Sequence, residues 1–323
     1  MNAAVLTEPG GTPAYAEHPD PVPAAGQTLV AVTAAPIVPL DQLCASGASY
    51  FGRPATPYVP GVQGVGVVRR SAVLAEGTRV FVSTAAGMRP GDGSLAEECV
   101  VPDEDVVAID ADVDDAALAA LGTSGIAAWV VLTERAHLRA GETVLVLGGG
   151  GAVGQAAIGA ARLLGAGRVV AVSRSPEARE RARRAGADEV LAPGGDVDEL
   201  TARLRDAVGA GADVVVDPVF GTAATAASRV LAVRGRLVNL GGSGGDVAQF
   251  SSAEIRSRSA SVLGHTNNHL TADERRHAVT AVAGHAAAGR LAVAHEVLPL
   301  ARIAEAWRRQ ASGQAGVRLV MTP

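Results

Sequence analysis

The stretch Gly149-Gly150-Gly151-Ala152-Val153-Gly154 is the part of the sequence that decides the fold. It follows an apolar run at 143–147 that predicts a β-strand, and it opens a periodic run at 153–164 that predicts a helix. A G-x-G-x-x-G placed between a strand and a helix is typical of a dinucleotide-binding site, whereas without that context it is an ordinary glycine-rich turn. The sequence therefore predicts that a dinucleotide binds at this turn.

Each residue of the motif has its own expected task. Gly149 permits the tight turn, Gly151 lets the backbone approach the pyrophosphate, and Gly154 allows the helix to pack closely on the strand. The amides of Ala152 and Val153 lie in the first turn of the predicted helix, where unpaired N–H groups attract an anion. We therefore assign all five residues to cofactor binding.

Strand-like and helix-like runs alternate along the chain from about residue 119. This alternation requires crossover connections, and hence a parallel sheet that is covered by helices on both faces. The predicted strands are 143–147, 168–172, 189–191, 212–216, 236–240 and 261–263, and the predicted helices are 153–164, 176–185, 197–208 and 222–232. The sequence thus predicts an α/β fold with a doubly wound Rossmann sheet of six strands over residues 119–264.

The beginning of the chain has a different pattern. Residues 1–118 carry short apolar runs that are broken by Pro and Gly, for example at 28–32 and 64–68, as is typical of a compact β-rich domain. Residues 265–323 include predicted helices near 273–288 and 301–310, and we expect this segment to return to the first domain. A chain of 323 residues that is 48% hydrophobic is long enough for two such domains.

The composition excludes several classes of protein. A net charge of −5 offers no electrostatic footprint for nucleic acid. All 28 basic residues are Arg, so neither a lysine Schiff base nor a Tyr-x-x-x-Lys catalytic pair is available. Cys44 and Cys99 are too few for a disulfide framework or a four-Cys zinc site. We see no leader peptide and no apolar run near the roughly 18 residues of a membrane span, so we expect a cytoplasmic enzyme.

The end of the second predicted strand indicates which dinucleotide is bound. An NAD site usually places Asp or Glu about 20 residues beyond the glycines, where it accepts from the ribose hydroxyls. This chain has Ser173 and Arg174 there, and their hydroxyl and guanidinium groups donate to a 2′-phosphate that a carboxylate would repel. We therefore predict NADPH as the cofactor. The alternative for Arg174 is a surface residue beside a helix cap.

Further motifs are spread over essentially the whole chain. They are Pro39-Leu40-Asp41, Pro57-Tyr58-Val59-Pro60-Gly61, Gly93-Ser94-Leu95-Ala96-Glu97, Gly122-Thr123-Ser124-Gly125-Ile126-Ala127-Ala128-Trp129, Asp217-Pro218-Val219 and Gly316-Val317-Arg318-Leu319-Val320. Together with the glycine fingerprint, they resemble the medium-chain dehydrogenase/reductase superfamily and, within it, the zinc-independent quinone oxidoreductase (zeta-crystallin-like) branch. The resemblance implies a GroES-like substrate domain beside the Rossmann domain, and a homodimer that meets at the last Rossmann strand.

Neither metal site of the zinc-dependent relatives can be assembled from this sequence. Where those relatives have Gly-His-Glu, this chain has Gly61-Val62-Gln63, and their block of four cysteines is missing. Ordinary alcohol dehydrogenation is disfavoured, because the alkoxide-like charge of its transition state would lack a Lewis acid. The resemblance implies instead that hydride passes from NADPH to an activated acceptor, such as a quinone or an α,β-unsaturated carbonyl.

The resemblance points to three catalytic candidates. Tyr50 is the leading proton donor, because some family members place a Tyr near this stretch; the alternative is a packed or surface Tyr. Asp41 matches the Pro-x-Asp of the family, although Val38 replaces the Asn that commonly precedes that Pro. Gln63 stands at the position of a lost metal ligand, so it either faces the nicotinamide or is a buried amide bonded to backbone.

Five more residues are assigned to the cofactor. Thr123 either contacts the nicotinamide or its ribose, or caps the helix that follows it. Gly241 and Gly242 follow a predicted strand, at the sheet edge where doubly wound folds bind their ligands. His265 belongs to a polar cluster after the last strand that suits a cofactor or substrate pocket better than a metal, and Arg318 lies in the predicted final strand.

Two other functions remain open at this point. The first is reduction of a cyclic imine or iminium carbon in a biosynthetic pathway, which needs the same hydride donor and no metal. The second is a nonenzymatic protein that binds NADPH, because a fold with an intact nucleotide site need not catalyse a reaction.

Overall fold

The computed structural model describes all 323 residues, which form two compact units. The first unit comprises Met1–Gly122, Ala272–Ala287 and Ala294–Pro323, and the second comprises Thr123–Thr271 and Ala288–Val293. The boundary along the chain thus lies a few residues beyond the predicted one at 118/119.

The second unit also extends further towards the carboxyl terminus than predicted. It continues past residue 264 to Thr271, and it includes Ala288–Val293, which the sequence pattern had given to the first domain. The reason for the second difference is a close contact with a helix of this unit. A Cβ added to Gly159 would lie only 2.8 Å from Cδ1 of Leu291, so Leu291 packs directly on that glycine.

The first unit is built mainly from antiparallel strands. Its strands are β1 (Asn2–Val5), β2 (Ala14–Glu17), β3 (Gln27–Pro36), β4 (Gln63–Arg70), β5 (Arg79–Ser83), β6 (Glu98–Pro102), β7 (Val106–Ala108), β14 (His295–Pro299) and β15 (Arg318–Thr322), and its helices are α1 (Pro39–Ser46), α8 (Ala272–Ala287) and α9 (Ile303–Ala311). A seven-stranded sheet has the order β14-β15-β3-β4-β5-β7, with β6 also paired to β3. Strand β3 alternates between buried and half-buried residues, because successive side chains of a strand point to opposite faces.

The second unit is a parallel six-stranded sheet with helices, which confirms the predicted Rossmann fold. Its strands are β8 (Thr143–Leu147), β9 (Arg168–Val172), β10 (Glu189–Leu191), β11 (Ala212–Asp217), β12 (Leu231–Asn239) and β13 (Ser261–Gly264), and its helices are α3 (Ala152–Leu163), α4 (Pro176–Arg184), α5 (Val197–Val208), α6 (Gly221–Ser228) and α7 (Ser252–Arg258). The strand order is β10-β9-β8-β11-β12-β13. The order reverses between β8 and β11, which is where doubly wound sheets open a crevice for a ligand.

The boundary between α6 and β12 differs from the prediction of a helix at 222–232 and a strand at 236–240. Helix α6 ends at Ser228, and β12 already begins at Leu231, where it pairs with Ala212. The register then shifts before Arg236, and Arg234 lies in the left-handed region with φ of 63°. The apolar residues that extended the predicted helix therefore form the first part of a bulged strand.

Helix α2 (Asp115–Val130) carries the boundary between the two units at Gly122, where the backbone is kinked with φ of 30°. It continues as one π-helical turn, so that Asp115–Arg135 is a helical stretch of 21 residues with a mean hydropathy of 1.7. By length and composition alone it is able to cross a membrane, although Thr123 and Ser124 interrupt its apolar run, as the prediction of no uninterrupted span requires. However, 78% of its apolar window is buried inside the protein, as in the core helix of a globular fold.

Candidate active site

The glycine motif joins the end of β8 to the first turn of α3. The left-handed residue of the turn is Gly148, with φ of 68°, which corrects the assignment of the tight turn to Gly149. The amide of Gly151 donates to the Gly148 oxygen at 2.9 Å and so closes the turn. Gly151 is then the residue from which α3 starts.

Three glycines of the motif are required for different steric reasons. An added Cβ would lie 2.3 Å from the Gly148 oxygen at Gly154, 2.3 Å from the Ala178 oxygen at Gly150, and 2.7 Å from Cβ of Ala171 at Gly149. All three distances are too short for real atoms. At Gly151 the nearest atom would be the Gly148 oxygen at 3.4 Å, an ordinary van der Waals distance. Packing within the protein therefore does not by itself require a glycine at this position.

Three side chains that the motif does not include hold this loop in place. The Gly150 amide donates to Oγ of Ser173 at 2.8 Å, and the Gly150 oxygen accepts from Nε2 of Gln155 at 3.0 Å and from Nε of Arg181 at 3.1 Å. Sequence reasoning missed Gln155 and Arg181, because the pattern shows only that they lie on helices. Since α3 has neither a side-chain cap nor an acidic residue in its first turn, its N-terminus suits an anion.

The two residues predicted to recognise a 2′-phosphate have different surroundings. Ser173 is buried, and its oxygen accepts a hydrogen bond from the Gly150 amide. Its hydroxyl hydrogen is therefore the one donor that this side chain can offer to a phosphate. Arg174 is exposed, and its guanidinium has no hydrogen-bond partner in the protein. Its carbonyl accepts from Nη1 of Arg179 at 2.6 Å, which keeps a second guanidinium close by. The glycine loop and these cations together fit NADPH.

The carboxyl ends of β11 and β12 are joined by a buried polar pair. Asp217 is fully buried and accepts from the amides of Val219 and Phe220 at 2.9 and 2.7 Å, and burial raises its pKa. Asn239 donates to the Asp217 oxygen at 3.1 Å and to the Gly241 oxygen at 2.7 Å. Phe220 has φ of 61° and ψ of −155°, a strained conformation that these bonds help to hold.

The predicted glycines after β12 have packing reasons of their own. A Cβ at Gly241 would lie 2.9 Å from the Pro218 oxygen, and a Cβ at Gly242 would lie 2.8 Å from Oδ1 of Asp246. The loops after β11 and β12 are therefore closely packed on each other, and this packing is sufficient to require both glycines. Contact of either glycine with the cofactor stays a prediction.

Thr123 and His265, both predicted at the cofactor, belong to one hydrogen-bonded chain. Nε2 of His265 lies 2.9 Å from Oδ1 of Asn267, and Nδ2 of Asn267 donates to the Thr123 oxygen at 2.9 Å. Thr123 directly follows Gly122, where two helical stretches meet, so both of its predicted roles stay predictions. Burial lowers the pKa of His265.

The structure contradicts a catalytic role for Asp41. Its carboxylate is 1% exposed, and its two oxygens accept from the amides of Val38 and Val62, at 2.8 and 2.9 Å respectively. Asp41 therefore fastens the start of α1 to the start of β4. With both oxygens occupied by backbone amides of its own unit, it has no place for a reacting atom.

Arg318 is corrected for a related reason. It lies in β15 with 7% exposure and donates through Nη1 to the Ile37 oxygen at 3.0 Å. Burial lowers its pKa to about 10, and the charge of Asp41 partly restores it. A guanidinium that is buried in the first unit as the counter-charge of a carboxylate has a structural role, and it does not fit the predicted role of a cofactor ligand.

Gln63 is the buried amide that the sequence left as one of two alternatives. It is 1% exposed, and its Nε2 donates to the Ala119 oxygen at 3.1 Å. A Cβ at Gly122 would lie 2.3 Å from the Gln63 amide, so the kink in α2 is shaped around this side chain. The residue at the lost metal-ligand position therefore supports the helix.

Tyr50 lies at the surface, on the loop after α1. It is 78% exposed, and its ring packs on Phe51 with 4.3 Å between centroids. Its hydroxyl has no partner in the protein, so its assignment as a proton donor stays a prediction.

The residues present do not fit a zinc ion. No group of three or more His, Cys, Asp or Glu side chains is arranged to hold a metal. Cys44 and Cys99 are both buried, and burial raises the pKa of their thiols to about 11 and about 12, which disfavours the thiolate form in which a cysteine binds zinc.

Comparison with known protein families gives two matches in chain order. The alcohol dehydrogenase GroES-like domain matches residues 24–111, and the zinc-binding dehydrogenase family matches residues 152–284. The second name describes the family as a whole and assigns no metal to this chain. A GroES-like domain followed by a Rossmann domain with a dinucleotide cradle defines a dehydrogenase or reductase.

Individual relatives agree with this class. Quinone oxidoreductase of Pongo abelii is 27% identical over 332 residues, which cover 99% of this chain and 98% of the relative. The structure of a mycobacterial quinone oxidoreductase superimposes over the full length of both chains with a TM-score of 0.89 and 26% identity. A mycobacterial structure with bound NADPH does so with a TM-score of 0.87 and 26% identity.

A different kind of relative matches part of the chain more strongly. Phthioceranic/hydroxyphthioceranic acid synthase of Mycobacterium tuberculosis is 42% identical over 127 residues, which are 39% of this chain but 6% of that protein. The chain is thus comparable with a small segment of the synthase. Taken together, the matches show that the chain belongs to the medium-chain dehydrogenase/reductase superfamily, in its quinone oxidoreductase-like branch. It is an oxidoreductase.

The structural role of Asp41 predicts a pH dependence of stability. Burial raises its pKa to about 6 in the folded protein, above the value of about 4 in the unfolded chain. The folded state therefore holds the proton more tightly, and the stability from this group is lost as the pH rises from about 4 to beyond 6. Between about pH 7 and about pH 5, we expect the wild type to gain roughly 1 kcal/mol relative to Asp41→Asn.

Urea unfolding of both proteins at the two pH values measures this difference. The exposed Asp112→Asn is the matched control, and its difference from the wild type should not change with pH. A pH-independent difference for Asp41→Asn would contradict the assignment.

Proposed function

We propose that this oxidoreductase is an NADPH-dependent, zinc-independent reductase that transfers hydride to an activated acceptor, a quinone or an α,β-unsaturated carbonyl. The observation that carries the proposal is the environment of Gln63. At the place where zinc relatives hold the metal, this chain has a buried amide that is bonded to the Ala119 oxygen and packed against the helix kink. An acceptor that needs no Lewis acid is the consistent choice.

Support for NADPH comes from the surroundings of the glycine loop. Gly151 precedes the N-terminus of α3, and an added Cβ there would meet only the Gly148 oxygen, at 3.4 Å, which leaves room for a pyrophosphate. Arg174 stands at the end of β9, exposed and without a protein partner, and no carboxylate follows that strand directly. A guanidinium that is not engaged by the protein is suited to bind the 2′-phosphate, which distinguishes NADPH from NADH.

NADPH, when bound, supplies the hydride. The chain must then stabilise the charge that develops on the acceptor oxygen and deliver a proton. Hydrogen-bond donors held in place are sufficient for an enolate or quinol oxygen. Tyr50 has a hydroxyl with no partner in the protein and remains our candidate for the proton donor. Asp41 is not part of this proposal.

Among the acceptors, we give first place to the α,β-unsaturated carbonyl. One relative, 42% identical over its matched segment, is by name a synthase of an acid, whereas the full-length quinone oxidoreductase is 27% identical. We take the acid in that name as a sign of carbonyl chemistry, which conjugate reduction of an α,β-unsaturated carbonyl matches. The aromatic side chains that would stack on a quinone make up only 3% of the residues.

An assay with three acceptors in parallel tests the proposal. NADPH oxidation is followed with an enone, a quinone and a cyclic imine, on protein whose metal content has been measured. We expect turnover with the enone or the quinone and no stoichiometric zinc. Turnover with the imine alone, binding of NADPH without turnover on any acceptor, or activity that follows bound zinc would each contradict the proposal.

The cofactor preference depends on Arg174. Loss of a charged hydrogen bond to the 2′-phosphate in Arg174→Ala is expected to weaken NADPH binding roughly ten- to hundredfold and to leave NADH binding unchanged. Titration of both cofactors measures this change. Arg184→Ala, which removes an exposed guanidinium from the end of α4, the helix that follows Arg174, is the control and should keep the preference. An unchanged preference in Arg174→Ala would refute the role of this residue.

The proposal includes a cytoplasmic homodimer. Strand β13 is the last strand of the parallel sheet, so one of its edges has no neighbour within the chain. Val262 in this strand is 38% exposed. An open edge with an exposed apolar residue is suited to pair with a second copy of itself.

A further inference from the structure

His265 lies on the half of the sheet where the nicotinamide of a bound dinucleotide is expected. It directly follows β13, and its amide donates to the Asn239 oxygen at 2.9 Å. Strands β11, β12 and β13 lie on one side of β8, whereas β9 and β10 lie on the other. The two halves of a doubly wound sheet carry the two nucleotides of the cofactor. Arg174, the residue proposed to bind the 2′-phosphate of the adenosine, follows β9. Because β13 lies on the other side of β8, His265 is placed on the nicotinamide half.

The hydrogen bonds around His265 fix its tautomer. Asn267 donates through Nδ2 to the Thr123 oxygen, so it is Oδ1 that faces the imidazole. An amide oxygen accepts and cannot donate, so Nε2 of His265 carries the hydrogen. In the neutral ring, Nδ1 is then a bare acceptor. It has no hydrogen-bond partner in the protein.

The surroundings also keep the ring neutral. Burial lowers the pKa of His265, and the nearby charge of Arg135, whose Nη2 donates to the Gly264 oxygen at 3.0 Å, lowers it further. The hydrogen bond to Asn267 raises the pKa, but by less than burial lowers it. An uncharged imidazole with one lone pair available is therefore the expected form at neutral pH.

We propose that Nδ1 of His265 accepts a hydrogen bond from the carboxamide N–H of the nicotinamide, and so holds the ring in one orientation. This inference rests on the proposed function, since it requires a bound nicotinamide cofactor. The carboxamide nitrogen only donates, so it is complementary to a bare acceptor. The hydrogen bond from Asn267 to the Thr123 oxygen keeps Oδ1 of Asn267 on Nε2 of His265. Nδ1, the acceptor nitrogen, is then directed away from Asn267.

Binding of two cofactors to two proteins tests the proposal. The probes are NADP⁺ and its 3-acetylpyridine analogue, in which an acetyl group replaces the carboxamide and no N–H remains. We expect the wild type to bind NADP⁺ about five- to tenfold more tightly than the analogue, as for one neutral hydrogen bond. His265→Leu should bind both alike, while its affinity for 2′,5′-ADP stays that of the wild type. His269→Leu, at an exposed position in the same turn, is the control.

A second variant retains the imidazole and changes its protonation. Asn267→Asp places a carboxylate at Nε2, which favours the imidazolium, and in that form Nδ1 carries a hydrogen and no longer accepts. The preference for NADP⁺ over the analogue should then disappear as the pH is lowered, and it should return at higher pH. Asn268→Asp adds the same charge to the neighbouring exposed residue and should leave the preference as in the wild type.

Each other outcome has a distinct meaning. A wild type that does not discriminate between the probes, or a His265→Leu variant that still does, would overturn the role of His265. Equal weakening of both probes in His265→Leu would overturn the carboxamide as the donor. A wild type that binds neither probe would instead refute the proposed function itself.

Discussion

The contact on which the nucleotide unit depends is the close approach of α3 to the end of β8. At Gly154 in α3 even a methyl group would lie only 2.3 Å from the Gly148 oxygen, which directly follows β8. This close packing brings the amides of the first turn of α3 to the carboxyl edge of the sheet, where an anion has no competing acid or side-chain cap. Ser173 accepts from the Gly150 amide and Arg181 donates to the Gly150 oxygen, so both side chains hold this residue.

The first unit depends on a different constraint, a buried charge pair that links distant parts of the chain. Asp41 is satisfied by two backbone amides, and Arg318 supplies the opposite charge from the final strand. Burial outweighs this attraction, because the pKa of Asp41 is still raised. A motif that resembles a catalytic signature in the sequence is thus explained by folding, and the chemistry must come from other residues.

The sequence was sufficient to predict features that depend on local pattern. The glycine motif between a strand and a helix, the alternation that makes a parallel sheet, and the cation at Arg174 are all visible in the order of residues. Burial and tertiary contact are not visible in that way. Asp41, Arg318 and Gln63 were therefore misassigned or left open, because a polar residue in a motif looks the same whether it faces a ligand or a backbone amide.

Other features escaped prediction because they depend on neighbours distant in sequence. Arg181 reaches the Gly150 oxygen, and Asn267 orients His265, only once the elements have packed. The start of β12 was read as helix, since the bulge at Arg234 breaks the alternation that identifies a strand. At each of these places the local sequence is compatible with more than one structure, and tertiary packing decides which one forms.

The most direct test of the account is NADPH binding by Gly151→Ala. The backbone at Gly151, with φ of −77° and ψ of 170°, accommodates alanine, and the added methyl would meet no protein atom closer than 3.4 Å. The variant should therefore fold with the stability of the wild type and bind NADPH at least about tenfold more weakly, because the methyl occupies the space of the pyrophosphate. Gly284→Ala, at another open position, should bind normally. Wild-type affinity in Gly151→Ala would contradict the placement of the cofactor on this loop.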